Sequence, residues 1–260
     1  MTSPPLHRST FLLRELAKRD FESRYAGSWL GFLWSFAQPL WLLLLFTFVF
    51  SMVLRVPLEG AGTGSFALFL FAGLLPWMAV HEAVNRSTTV VTDNSSLVKK
   101  VSFRAELLVF SVVLTALVHE GIALSVFGLI LGLSGQLDLT RLVLGLALAL
   151  PLQILLTVGL SLLVASAQVF LRDTSQALSL LLNGWFYLTP IVYPASLVPE
   201  RLRGWIEANP LTALVGWYRY ALLGGELPGG TAVLVGAAIV LVVVGGFVFR
   251  RLAPTFADEI

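Results

Sequence analysis

Four ionisable side chains stand where an otherwise apolar chain could carry proton or metal chemistry: His81-Glu82 and His119-Glu120. A histidine beside a carboxylate is the raw material of a proton relay, and ionisable groups inside apolar runs of membrane length are functional suspects by default. The same residue types begin the zinc motif His-Glu-x-x-His, in which two histidines one helical turn apart hold the metal. Neither pair completes it, because Asn85 and Ala123 stand where the second histidine would be. No catalytic residue and no metal ligand is assigned, and His119-Glu120 is expected as a packed, hydrogen-bonded pair facing other helices. The chain has no cysteine, which excludes disulfides and thiolate metal sites.

Charge is dense up to Arg24, and from Tyr25 to Leu54 there is not one charged residue. At 100° per residue from Leu12, the residues Leu13, Leu16, Ala17 and Phe21 share one half of a helical wheel. Arg14, Glu15, Lys18, Arg19 and Glu22 take the other half. This is an amphipathic helix with a basic polar face, the pattern of a segment lying in a membrane interface. Asp20 and Arg24 break it: both land in the apolar stripe, four apart, with the acid first as an i,i+4 pair prefers. Such charges are tolerated as a pair that snorkels to water, or where the helix rests on another protein at the membrane surface. Gly27, Ser28 and Gly31 follow, a joint of little bulk where the interfacial helix can turn into a spanning one.

The elements that position these residues are membrane helices. Of 260 residues 57% are hydrophobic and only 12% charged, with a mean hydropathy of +0.86. Soluble domains carry about a quarter charged residues, so the fold class is an all-α integral membrane protein. The net charge of +2 comes from basic residues flanking apolar runs, so membrane lipids and not nucleic acid are the expected partners. The first 24 residues lack a continuous apolar core, so no cleavable signal peptide is expected.

Uncharged windows of roughly 20 residues predict six transmembrane helices: 33–54, 66–84, 107–133, 142–171 with a kink point at Pro151, 175–192 and 231–249. With the N-terminus inside, the inner segments hold 12 of the 17 basic residues, and the outer loops hold Arg55, Arg141, Arg201, Arg203 and Arg219. That asymmetry places both termini in the cytoplasm. Between the fifth and sixth spans, apolar bits too short to span alternate with Pro194, Pro199, Asn209-Pro210, Trp205, Trp217, Tyr218 and Tyr220. Short re-entrant helices dipping into the outer leaflet fit that mix. In the inner loop 86–104, Asp93 or Asn94 reads as a helix cap. Leu97, Val98 and Val101 then form an apolar edge beside Lys99 and Lys100. The whole is one transmembrane domain, 1–260: an interfacial helix 1–30, five spans 33–192, an outer re-entrant segment 193–226, a sixth span 231–249 and a cytoplasmic tail 250–260.

Arg19-Asp20-Phe21, then Arg24-Tyr25, Gly27-Ser28, Leu30-Gly31, Leu33-Trp34 and Pro39-Leu40, resemble the N-terminal signature of membrane subunits of bacterial ABC-type polysaccharide exporters. So do Asn94-Ser95-Ser96-Leu97-Val98-Lys99-Lys100, Arg172-Asp173 and Thr189-Pro190-Ile191-Val192-Tyr193-Pro194. Asn209-Pro210-Leu211-Thr212, Trp217-Tyr218-Arg219 and Phe256-Ala257-Asp258-Glu259-Ile260 complete a likeness that runs in order along nearly the whole chain. The pattern departs after Phe103, where the family usually has a proline and another some five residues on; here Arg104 and Val109 stand.

The resemblance implies a permease, not an enzyme: two copies of this chain and two copies of an ATP-binding subunit move a lipid-linked polysaccharide, of O-antigen kind, across the plasma (inner) membrane. Export of teichoic acid, capsule, a drug or a small lipid is the near alternative, and a membrane-embedded enzyme of cell-envelope glycan assembly the distant one. No G-x-x-x-x-G-K-[ST] loop is present, since Gly60 to Gly64 lack the lysine and the hydroxyl. ATP and magnesium therefore belong to the partner, and this chain carries no cofactor. The expected coupling residues are Asp20, Arg24, Ser95, Ser96, Leu97, Lys99 and Lys100. A sugar polymer needs flat apolar faces with a few hydrogen-bonding groups. Trp34, Gln38, Trp41, Leu45 and Phe48 share one face of the first span, and Asn183 and Tyr187, followed by Thr189 and Tyr193, form a second stripe. A single cysteine placed at Lys99 of this cysteine-free chain is expected to react with an impermeant maleimide only from the cytoplasmic side; labelling from outside would invert the topology.

Overall fold

A bilayer offers no water to an open backbone, and the chain answers with helices. The computed structural model describes residues 6–25, 34–55, 63–100 and 103–260, the side chains of 6–9, 20–25, 34–36, 38, 39 and 43 excepted. The joint at Gly27, Ser28 and Gly31, the glycine-rich start at Gly60 and the edge residue Val101 lie outside the described residues. No strand occurs among the described residues. Four helices are long and apolar enough to cross a membrane: α3 (Phe66–Asp93), α5 (Glu106–Leu133), α6 (Leu139–Phe170) and α10 (Thr231–Leu252), the last running on toward Glu259. Between and around them lie α1 (Leu6–Tyr25), α2 (Trp34–Phe46), α4 (Ser95–Val98), α7 (Thr174–Leu188), α8 (Glu200–Glu207), α9 (Pro210–Leu223) and α11 (Phe256–Glu259).

Several boundaries differ from the sequence reading for local reasons. Helix α3 does not stop near residue 84 but runs to Asp93, and Asn94 ends it by donating from Nδ2 to the Val90 carbonyl at 2.9 Å. Helix α2 passes directly into a π-helical segment, Thr47–Val53. Helix α7 ends at Leu188, four residues before the expected limit, because a residue preceding proline is pushed out of the helical region. Thr189 accordingly adopts φ −100°, ψ 133° ahead of Pro190. Both α3 and α6 carry an internal proline, Pro76 and Pro151, and continue through it. Arg104, standing where the family pattern has proline, instead pairs with Glu106 at 3.3 Å beside the start of α5.

Two apolar clusters hold the bundle. The first gathers Phe66, Leu70, Leu74 and Trp77 of α3, Ala149 and Leu156 of α6, Leu211, Leu214 and Tyr218 of α9, and Leu234 and Ala238 of α10. The second gathers the far ends of α3, α6 and α10 with the first half of α5 and with Phe256. Helices α3, α6 and α10 thus run parallel through both, and α9 is inserted among them at one end. Large apolar side chains such as Leu129, Leu133, Val143, Val243 and Phe247 remain exposed, as a lipid-facing surface requires.

Helices α6 and α10 cross closely at two glycines. A Cβ on Gly159 would stand 2.3 Å from the Leu241 carbonyl carbon, and one on Gly245 would stand 2.3 Å from the Gly159 carbonyl oxygen. Backbone cannot yield as a flexible side chain does, so alanine at either position must separate the helices. Gly159→Ala and Gly245→Ala are each expected to destabilise the detergent-solubilised protein by about 1–3 kcal/mol. Gly246→Ala, whose Cβ meets nothing within 4 Å, should be neutral in the same thermal-unfolding assay.

Candidate functional site

The best-anchored polar group is Arg219, which the sequence tally assigned to an outer loop. It lies instead on α9, with its guanidinium 3.5 Å over the ring of Phe69. Nη1 donates to the Pro190 carbonyl and Nη2 to the Ile191 carbonyl, both at 2.7 Å, and Nε donates to the Phe69 carbonyl at 3.3 Å. The Pro190 and Ile191 carbonyls lie past the end of α7, where no helix supplies them a partner. A Cβ on Gly73 would stand 2.8 Å from Nη2, so only glycine leaves the fork its room. Asn209, at the N-cap of α9, holds the other side of the break. Its Oδ1 accepts from Leu211 N at 3.0 Å and from Trp185 Nε1 at 2.9 Å, while Nδ2 donates to Thr189 Oγ1 at 2.9 Å.

A second polar group joins α5, α6 and α9. Gln153 Nε2 donates to Glu120 Oε2 and Tyr218 OH donates to Glu120 Oε1, both at 2.7 Å, and Tyr218 also meets Gln153 Oε1. All three residues are buried. His119, adjacent in sequence, faces elsewhere: its Nδ1 lies 3.3 Å from Glu82 Oε1, which Arg86 also approaches at 3.5 Å. His119 and Glu120 are therefore not a unit, and each ties α5 to a different neighbour. His81 packs beside Trp77. Among the described residues no group of three or more histidines or carboxylates could hold a metal ion.

The two expected coupling elements meet. Arg19 Nη2 of α1 donates to Asn94 Oδ1, at the junction of α3 and α4, at 2.8 Å. The Thr115 hydroxyl donates to the Ala17 carbonyl at 3.4 Å, and Leu16 packs on the second cluster. On α4, Leu97 and Val98 turn to that cluster and Ser95 is half-buried, while Ser96, Lys99 and Lys100 are exposed. The side chains of Asp20 and Arg24 lie outside the described residues, although both positions belong to α1.

The two expected channel stripes open onto the protomer surface. Trp41, Leu45 and Phe48 are exposed on α2 and its π-helical continuation, and Asn183 and Tyr187 on α7. Phe46 stacks on Phe186 at 5.9 Å, which makes the two helices neighbours. Thr189 stands apart from its stripe, fully buried and hydrogen-bonded to Trp185 and Asn209. The Tyr193 hydroxyl folds back to the Tyr187 carbonyl at 2.9 Å. The side chains of Trp34 and Gln38 lie outside the described residues.

Gln153, Tyr218 and Arg219 are the residues that sequence reasoning missed as architecture. An amide near the middle of the apolar run 142–171, with Gln168 as the second at its far end, was the available signal for Gln153.

The geometry is that of an all-helical membrane protein in which a helix breaks at Pro190 and a cation pins the break. Residues 12–223 match the model of the ABC-2 type transporter family, and the chain belongs to that family. It is 32% identical to the O-antigen export system permease protein RfbA of Myxococcus xanthus, covering 98% of this chain and 97% of that protein. A protein of the same name from Klebsiella pneumoniae is 29% identical over 95% of this chain and 94% of its own. The Polysialic acid transport protein KpsM of Escherichia coli is 24% identical over 82% of each.

Replacing Arg219 by methionine removes the donors to the Pro190 and Ile191 carbonyls, each of which costs about 1–3 kcal/mol when left unpaired. Arg219→Met and Gly73→Val are expected to lower the unfolding temperature together with loss of membrane accumulation. A Gly73→Val protein as stable as the wild type would show that the guanidinium can shift away from Gly73 without cost.

Proposed function

We propose that this chain is the membrane-spanning subunit of an exporter of a lipid-linked polysaccharide of O-antigen kind. It works as a pair of copies driven by two copies of a separate ATP-binding subunit, which holds the ATP and magnesium. The observation that carries this reading is the end-to-end likeness to O-antigen export permeases at 32% identity. The likeness to a polysialic acid transport protein keeps a capsule polymer as the second reading, at lower identity and coverage.

On this reading the chain lies in the bacterial inner membrane with six spans and cytoplasmic termini. The 13-residue α2 and the 7-residue π segment supply the first span, since a crossing takes about 20 residues. The 15-residue α7 supplies most of the fifth, which is completed by the segment that Arg219 pins. Helices α8 and α9 are the re-entrant pair, and α1 is the inner interfacial helix. ATP binding draws two motor subunits together beneath α4 and α1, and rigid-body movement of these helices changes how the two protomers meet. The polymer passes between them, along the stripes headed by Trp41, Phe48, Asn183 and Tyr187.

The test is coexpression with the ATP-binding subunit, scored for copurification and surface polymer. The double variant Lys99→Glu/Lys100→Glu should weaken copurification by about tenfold or uncouple ATP turnover from export. Trp41→Ala and Tyr187→Ala should reduce surface polymer while leaving the complex intact. Wild-type export in all of these variants would remove the proposal.

A further inference from the structure

The exposed turn α4 is too short to hold its own shape: a four-residue helix lies far below the length at which isolated helices persist. The side chain of its N-cap, Asn94, makes no capping bond to it. Its orientation must come from what Leu97 and Val98 rest on. That support is the second cluster, and part of it is the segment after α10. Following the Ala253–Thr255 turn, Phe256 inserts without exposure, its ring 5.2 Å from that of Phe249 at 86° and 6.1 Å from that of Phe170. Ile260 packs on the same cluster as Leu97, Val98 and Phe103. Helix α11 touches both α4 and α6, while Asp258 and Glu259 stay exposed. A second tie lies alongside, where Arg250 Nε of α10 donates to Glu106 Oε1 at 3.2 Å. That pair is water-exposed on the arginine side and contributes little.

We propose that segment 256–260 is a brace: it fixes α4 against the ends of α6 and α10, so that a push on α4 is delivered to those spans. Phe256 is the positioning residue. The functional half of this inference rests on the reading of α4 as the contact of an ATP-binding subunit. Without the brace the turn yields locally, and the motor's stroke is spent on moving α4 alone.

The experiment uses the full-length chain, alone and with its ATP-binding subunit, in lipid nanodiscs and in cells. Variants are Phe256→Ala, the conservative Phe256→Leu, the milder Ile260→Ser and a chain ended after Thr255. In Phe256→Ala and the shortened chain, amides of residues 95–100 should exchange hydrogen about tenfold faster, with the amides of α3 and α5 unchanged. The complex should still form and hydrolyse ATP, while polymer exported per ATP falls by about tenfold; Phe256→Leu should restore most of both. Ile260→Ser should move both readouts in the same direction by less, and it decides the matter if the larger changes prevent accumulation. Unchanged exchange at 95–100 overturns the brace, and faster exchange with full export per ATP overturns its part in coupling. Failure of the unaltered chain to support ATP-driven export would instead fall on the proposed function, and leaves the exchange result standing.

Discussion

The arrangement at one end of the bundle depends on one constraint: no carbonyl exposed by a broken helix can be left to lipid. Pro190 breaks α7, and the chain must then find donors for the carbonyls around the break. Arg219 supplies two of the donors to Pro190 and Ile191 and reaches Phe69 of α3 with a third. The cation itself is made tolerable by those charge-assisted bonds and by the face of Phe69. One side chain thereby fastens α3, the end of α7 and α9 together. The insertion of α9 among α3, α6 and α10 follows from the same bond set, because a helix that carries such a fork cannot withdraw without uncovering it.

The remaining polar groups repeat that logic at other levels. Glu120, Gln153 and Tyr218 bind α5, α6 and α9 where apolar packing alone would allow the helices to slide or rotate. Glu82 joins α3 to α5 through His119. Against these fixed points stand exposed side chains: Trp41 and Phe48 of α2 and its continuation, Asn183 and Tyr187 of α7, and Lys99 and Lys100 after α4. The polar ties thus lie inside the bundle, and the aromatic and basic groups lie on its surface.

Much of the helical frame is written in the chain because it depends on local composition. The long apolar runs mark α3, α5, α6 and α10 to within a few residues at most of their ends, and the break at Thr189-Pro190 follows from sterics between neighbours. The wheel of α1 correctly puts Leu13, Leu16 and Ala17 on the less exposed side and Arg14, Glu15, Lys18 and Arg19 on the exposed one. What local reading misjudges is pairing. His119 and Glu120 do face other helices through hydrogen bonds, but different ones, because neighbours on a helix point about 100° apart. Arg219 looks like a loop charge because charge counting knows position along the chain and nothing of the carbonyls released some thirty residues earlier. Glu120 finds Tyr218 across 98 residues, and no periodicity announces a bond of that range. Thr189 is a similar case: its type suited a polar lining, but the break needed its hydroxyl for Asn209.

The two ends of the bundle solve the joining of helices by different means, and the difference bears on how movement can pass between them. At the end where α9 inserts, the ties are directional: a guanidinium fork and a buried polar triad, each with a narrow geometry. At the other end α1, α4, α10 and α11 meet mainly over an apolar cluster of Phe249, Phe256, Leu108 and Val112, with the hydrogen bonds of Arg19 to Asn94, Thr115 to Ala17 and Arg250 to Glu106 at its margin. Apolar contact resists separation but is indifferent to small rotations, whereas the fork and the triad resist rotation as well. The directional ties therefore fix how α3, α5, α6 and α9 are turned against one another, which the apolar end does not. The exposed stripes on α2 and α7 ride on that frame through Phe46, Phe186 and Trp77, whose ring contacts near 6 Å tolerate sliding. The chain is thus pinned by directed bonds where the helix is broken and held by apolar contact where the turn is exposed.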